Sequence, residues 1–237
     1  MTTDRAESHA SPVADLPAPV AAVAEMVGIP SLRGWIHLVS AVVAVVAGAT
    51  LIIAAWIDGP MRAVWAALIY VAASVAMFSV SAAYHRVRWA PGPEKWMMRI
   101  DHSVIFLFIA GTYTPFALLA MPPEIGSRVL TIVWSGAAAG VVLKMVWPSA
   151  PRWVGVPLYL VLGYVAAWFA GELLDGAGVL VVALLIAGAV FYNIGAVLYG
   201  ARWPDPWPDT FGHHEFFHAF TAAGAVCHFV AVWLVVQ

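Results

Sequence analysis

The chain has 237 residues, 63% of them hydrophobic and 10% charged, with a formal net charge of −2. Average globular chains are about 25% charged, so this balance excludes a water-soluble domain and points to an integral membrane protein. The absence of a basic excess argues against a nucleic-acid partner, and one cysteine, Cys227, rules out an internal disulfide or a cysteine-based metal cluster.

Residues 1–30 are rich in Ala, Pro and acidic residues and read as a disordered cytoplasmic tail, with a short interfacial helix around Val20 to Val27 as the alternative. They make a poor signal peptide, because Asp4 and Glu7 share the charged start with Arg5 and no compact apolar core precedes Pro12. Residues 31–237 read as one membrane domain. Apolar stretches of about 20 residues, enough to cross a bilayer, recur over 35–57, 63–85, 101–121, 128–147, 153–174, 177–200 and 213–236. Unbroken apolar runs select helices over barrel strands. The expected fold is therefore all-α, a seven-transmembrane helix bundle with loops at 86–100 and 201–212 among its breaks. Tryptophans such as Trp35, Trp56, Trp147 and Trp153 flank the spans, where amphipathic rings suit the lipid–water interface.

The 11 Lys and Arg residues set the orientation. With the N-terminus in the cytoplasm, Arg5, Arg33, Arg86, Arg88, Lys95, Arg99, Lys144, Arg152 and Arg202 fall inside, and only Arg62 and Arg128 outside. This positive-inside bias predicts a cytoplasmic N-terminus and an external C-terminus.

That topology brings three polar clusters to the cytoplasmic ends of helices 2, 3 and 7. His214 and His218, at i and i+4, lie one turn apart on one helix face, as do Ser81 and His85. Asp101 and His102 open helix 3. Ionisable groups at this depth are costly and tend to face the bundle interior with a partner. His85, His214 and His218 offer three neutral imidazoles, the donor set of a zinc site with an open position. Asp101 is placed to act as a general base and Ser81 to donate to a carbonyl oxygen. Each residue also has a purely structural reading: Ser81 bonding back to the Met77 carbonyl, Asp101 capping helix 3, His85 resting in the interface beside Arg86 and Arg88.

Other polar residues are weaker candidates. His102 points away from Asp101 and reads as a structural donor, His213 is poorly spaced, and His228 lies too deep for the same ion. His37 has the right depth but no partner motif, and reads at most as an outer support. Glu215 turns away from the histidine pair, so His-Glu-Phe-Phe-His is weak support for proteolysis. Thr112-Tyr113-Thr114-Pro115 reads as a kink, its hydroxyls covering the carbonyl that proline leaves unpaired. Gly136, Gly140 and Gly188 permit close helix packing, within one chain or between two.

Ser81-x-x-x-His85, Asp101-His102-Ser103, Ile109-Ala110-Gly111-Thr112-Tyr113-Thr114-Pro115, His214-x-x-x-His218 and Cys227-His228-Phe229 together resemble the bacterial hemolysin III family. That family is grouped with the adiponectin and progestin receptors and, more distantly, the alkaline ceramidases. The resemblance spans residues 35–237. It implies a seven-helix bundle with a cytoplasmic-side zinc held by His85, His214 and His218, a water between the metal and Asp101, and a role for Ser81. The short loops depart from the eukaryotic receptors, so hormone binding is not implied.

The residues and the resemblance support a zinc-dependent hydrolase of lipid amides or esters acting in membrane lipid homeostasis. The alternatives are a non-enzymatic lipid-sensing receptor or regulator with structural zinc and, least supported, a pore-forming cytolysin, since no helix carries a repeated polar stripe. Membrane lipids are the expected partners; oligomeric state is not legible.

Overall fold

A computed structural model describes residues 30–237; the expectations for the tail lie outside the described residues. The elements are α1 (Trp35–Asp58), α2 (Met61–Arg86), α3 (Pro91–Leu119), α4 (Pro123–Val146), α5 (Arg152–Gly163), a 3-10 segment (Tyr164–Phe169), α6 (Ala170–Ala201) and α7 (His213–Val236). There is no sheet among the described residues, so the protein is an all-helical bundle. Breaks fall where the chain supplies them: Pro60 before α2, Pro91 opening α3, Pro123 opening α4, and Gly212 before α7. Proline at the first helical position costs nothing, because its missing N–H would have had no partner there.

Among the described residues, six helical stretches are long and apolar enough to cross a membrane, against the seven expected. The difference lies in Trp153–Ala201, a 49-residue run with no intervening coil. The break expected at Asp175-Gly176 is displaced to Gly178, whose φ of 82° and ψ of 169° leave helical geometry. That region of backbone space is open essentially to glycine alone.

The expected loop 86–100 is also largely helix. Only four residues, 87–90, separate α2 from α3, which starts ten residues before Asp101. Pro91 in the first turn and Glu94 at the positive end of the dipole favour this early start. Asp101 therefore lies in the helix interior and does not cap it; the cap position is Ala90.

Helix α3 is the central one. It packs on α2, α4, α5 and α7, while α7 closes the bundle against α6 and α1. Its Thr-Tyr-Thr-Pro string does more than accompany the proline. The Thr112 and Thr114 hydroxyls donate to the carbonyls of Phe108 and Ala110, not to that of Gly111, which Pro115 leaves without its helical donor. Tyr113 reaches across to the 3-10 segment, where its hydroxyl donates to the Gly163 carbonyl at 2.5 Å and accepts from the Ala166 N–H at 2.8 Å. Trp134 of α4 donates to the Thr114 hydroxyl at 3.3 Å. The string thus fixes α3 against both α4 and the joint between α5 and α6.

The three small residues noted in the sequence serve packing within the chain. A Cβ on Gly136 would come within 2.7 Å of Leu162, on Gly140 within 2.4 Å of Phe106, and on Gly188 within 2.3 Å of His228. His228 fills the space beside Gly188 and meets the Leu185 carbonyl at 3.2 Å, so it ties α7 to α6 far from the histidine cluster. Facing away from this core, Val39, Val42, Val46, Ile53 and Ile57 of α1 are exposed, as a lipid-facing stripe requires.

Candidate metal centre

One end of the bundle gathers the C-terminus of α2 and the N-termini of α1 and α7. His85 sits in the last turn of α2, and His214 and His218 occupy the first two turns of α7. Their ligand nitrogens all lie within 4.8 Å of one another. The Nε2 atoms of His85 and His214 are 3.2 Å apart. A tetrahedral ion with bonds of about 2.0–2.1 Å sets its ligand nitrogens about 3.4 Å apart. The first pair is already close to that spacing, and the third nitrogen lies within 4.8 Å of both. Three imidazoles converging in this way fit a divalent ion of intermediate softness, and the three histidines form a candidate metal site.

The surroundings hold the rings in place. His37, on the first turn of α1, is buried and lies flat against His218, with ring centroids 3.8 Å apart and planes 3° from parallel. Tyr199 of α6 meets His214 edge-on, with centroids 5.5 Å apart. Gly34 brings the start of α1 close to α2: its φ of 76° is in the left-handed region, and a Cβ there would come within 2.9 Å of the His85 Cβ. Beside it, Arg86 stacks its guanidinium over the Trp35 ring at 3.8 Å.

Glu215 is occupied elsewhere. It is 1% exposed, and its two oxygens accept from the Arg33 guanidinium and, at 2.9 Å, from the Gly212 N–H. The second of these bonds satisfies an otherwise open donor at the entry to α7. The first ties the segment before α1 to α7. Two backbone bonds extend the tie, from Ser31 N–H to the Asp209 carbonyl at 2.9 Å and from Leu32 N–H to the Thr210 carbonyl at 3.3 Å. A strap of residues 30–34 therefore runs beside the three histidines, against the loop leading into α7.

Asp101 on α3 and Ser81 on α2 are both buried, and Ser81 is the polar neighbour of the Asp101 carboxyl across the two helices. Ser81 is one turn before His85 on the same face of α2, so it and the neighbouring carboxyl lie about one turn along that helix from the His85 side chain. His102 offers its main-chain carbonyl to the Tyr159 hydroxyl of α5 at 3.1 Å, and its ring lies near enough to Lys144 of α4 and to His85 for charge on one to act on the other. His213 lies outside the three-histidine group.

Sequence reasoning placed the three histidines and the Ser81–Asp101 neighbourhood but missed the pairing of Arg33 with Glu215. A charged residue two positions before an apolar span, and a carboxylate buried in one, were the available signals: each is costly alone, and together they satisfy one another. The stacking of His37 on His218 left no signal in spacing.

A helical bundle with apolar faces and a three-histidine cluster at one end defines a multi-pass integral membrane protein with a candidate metal site. The chain matches the model of the family described as Haemolysin-III related over residues 28–229. It belongs to that family. It is 30% identical to Hemolysin-3 of Bacillus cereus over 199 residues, which cover 83% of this chain and 86% of that protein. It is 35% identical to the Hemolysin-3 homolog of Bacillus subtilis over 136 residues, 56% of this chain and 60% of that one. The human Monocyte to macrophage differentiation factor is 26% identical over 171 residues, 70% of this chain and 68% of that one.

Proposed function

We propose that this protein is a zinc-dependent hydrolase of lipid amides or esters, working at the cytoplasmic face of the bacterial inner membrane in lipid homeostasis. The observation that carries the reading is the convergence of His85, His214 and His218 at the end of the bundle where the buried Ser81, one turn before His85, neighbours the buried Asp101 carboxyl. His85, His214 and His218 would hold the ion; bound there, zinc would supply Lewis-acid activation of water and polarisation of an acyl carbonyl. Asp101 accepts the proton of the attacking water and returns it to the leaving nitrogen or oxygen. Ser81 donates to the Asp101 carboxylate at rest and, once Asp101 has taken the proton, turns its single O–H to the acyl oxygen as charge develops on it. Burial of both groups among apolar helices excludes bulk water and strengthens each interaction.

The reading takes the chain across the membrane seven times, with the N-terminus inside. The 49-residue run supports this, since at about 1.5 Å per residue it would measure about 70 Å, more than twice a hydrocarbon core of about 30 Å. Gly178 then marks the external turn.

One observation favours a second reading, a lipid-sensing regulator with a structural metal. The histidine cluster joins α2 to α7, two helices that share little other direct contact, so an ion there would also fix the bundle. Release of fatty acid from a defined acyl-amide lipid by purified zinc-loaded protein, with Asp101→Asn beside it, separates the two. Hydrolysis that falls by at least 100-fold in the variant while zinc is retained supports the enzyme. Retained zinc with no hydrolysis of amide or ester lipids by the wild type supports the regulator.

A further inference from the structure

Lys144, near the end of α4, is 4% exposed, yet it has no carboxylate partner: the ion pair found among the described residues is that of Arg33 with Glu215. A lysine drawn this far into a helical bundle without a counter-ion is costly, and such groups in membrane helices usually meet something that offsets the cost. Its surroundings are arranged for the amine. The Nζ lies 5.9 Å from the centre of the Tyr159 ring on α5, a weak cation–π distance. Gly155, also on α5, leaves the room that the amine occupies, since a Cβ there would come within 2.8 Å of Nζ. The Tyr159 hydroxyl bonds the His102 carbonyl, fastening this face of α5 to α3.

A second polar atom at the same seam lacks a partner. The Nδ1 of His102 is buried without a hydrogen bond, and His102 is the histidine whose charged neighbour is Lys144. Two nitrogens from different helices thus lie along one seam, and neither has a hydrogen-bond acceptor among the described residues. Neither belongs to the three-histidine cluster. The depth also fits an external ligand: Lys144 is one turn before Trp147, and Trp147 and Trp153, both exposed, flank the turn from α4 to α5 at the level where tryptophan marks the headgroup boundary.

We propose that Lys144 and His102 form a phosphate-binding site at the α3–α4–α5 seam, one that takes either the headgroup phosphate of an anionic membrane lipid or free phosphate. Phosphate offers several acceptor oxygens at once, so one group satisfies both donors and supplies the missing negative charge. A lipid source also lets the acyl chains lie in the apolar seam below. The site stands independently of the hydrolase reading.

Native mass spectrometry of the zinc-loaded full chain in detergent tests it, with dioleoylphosphatidylglycerol, dioleoylglycerol and inorganic phosphate as separate probes. The expected result is one phosphatidylglycerol adduct on the wild type, formed at a concentration at least 10-fold lower than on Lys144→Met, with dioleoylglycerol forming none. An adduct with inorganic phosphate and none with phosphatidylglycerol supports the site and assigns it to the free ion. Gly155→Ala keeps the charge but pushes the flexible amine aside, so it should weaken the adduct even where Lys144→Met fails to fold; wild-type zinc content certifies each variant. Equal phosphatidylglycerol binding by wild type and both variants, or dioleoylglycerol binding as well as phosphatidylglycerol, overturns the proposal.

Discussion

At the residue scale the two ends of the Arg33–Glu215 pair are not equivalent. Glu215 is 1% exposed and Arg33 22%, so removing Arg33 strands a buried carboxylate, whereas neutralising Glu215 leaves a cation that reaches water. Breaking a buried pair costs about 3–5 kcal/mol, with less expected when the orphaned partner is solvated. Arg33→Ala should therefore lower the unfolding free energy in detergent by about 3 kcal/mol, and Glu215→Gln by about 1 kcal/mol. Equal losses would mean that the pair is not the feature holding the strap. The stacked imidazole gives a second case. His37→Ala leaves all three candidate ligands but removes the face against which His218 lies. Partners that hydrogen-bond a metal-binding histidine typically matter by 10–100-fold in metal affinity, and a ring that only stacks on one is expected to matter at the low end of that range. A zinc competition titration should show His37→Ala weakened within that range, and His218→Ala with no measurable site.

At the element scale the backbone at Gly178 is the sharpest constraint. With φ at 82° and ψ at 169° it occupies a region that other residues enter at a cost of about 1–3 kcal/mol, and no atom lies within 4 Å of where a Cβ would stand. Gly178→Ala should destabilise by that amount through conformation alone. Gly163→Ala is the control: its site is equally open but helical, with φ −66° and ψ −32°, and the change should be neutral or stabilising by up to about 1 kcal/mol. Thermal unfolding of the two variants side by side checks the pair. These elements also show what the sequence could carry. Proline punctuation and apolar length made the helices legible to within a few residues at α1, α2 and α7. They failed at 86–100, where a helix start opened by Pro91 looked like a loop because its residues are polar. They also put the later break at Asp175-Gly176, because composition shows where a turn is tolerated and φ shows where it is made. Gly176 has a different use: a Cβ there would come within 1.8 Å of the Ala120 carbonyl, so it lets that turn sit against the end of α3.

At the scale of the whole molecule, the site exists because the topology returns α7 to the end where α2 finishes and α1 begins. Helix periodicity made the spacing of His214 with His218 and of Ser81 with His85 readable in the chain; the strap that pairs Arg33 with Glu215 was not, because it depends on a loop path with no period. The proposed seven crossings place the two chain ends on opposite sides. An alkaline phosphatase reporter fused after Gln237 should then be active outside the cell, and one inserted at 148–151 inactive; six crossings would leave the C-terminal fusion inactive. The central claim is the three-histidine metal centre, and the most direct test is elemental analysis of the purified protein beside His85→Ala, His214→Ala and His218→Ala. About one zinc per chain in the wild type, lost in each folded variant, is the result expected of tetrahedral three-histidine ligation. A wild type that takes up no metal when offered zinc, or variants that keep a full equivalent, would contradict it.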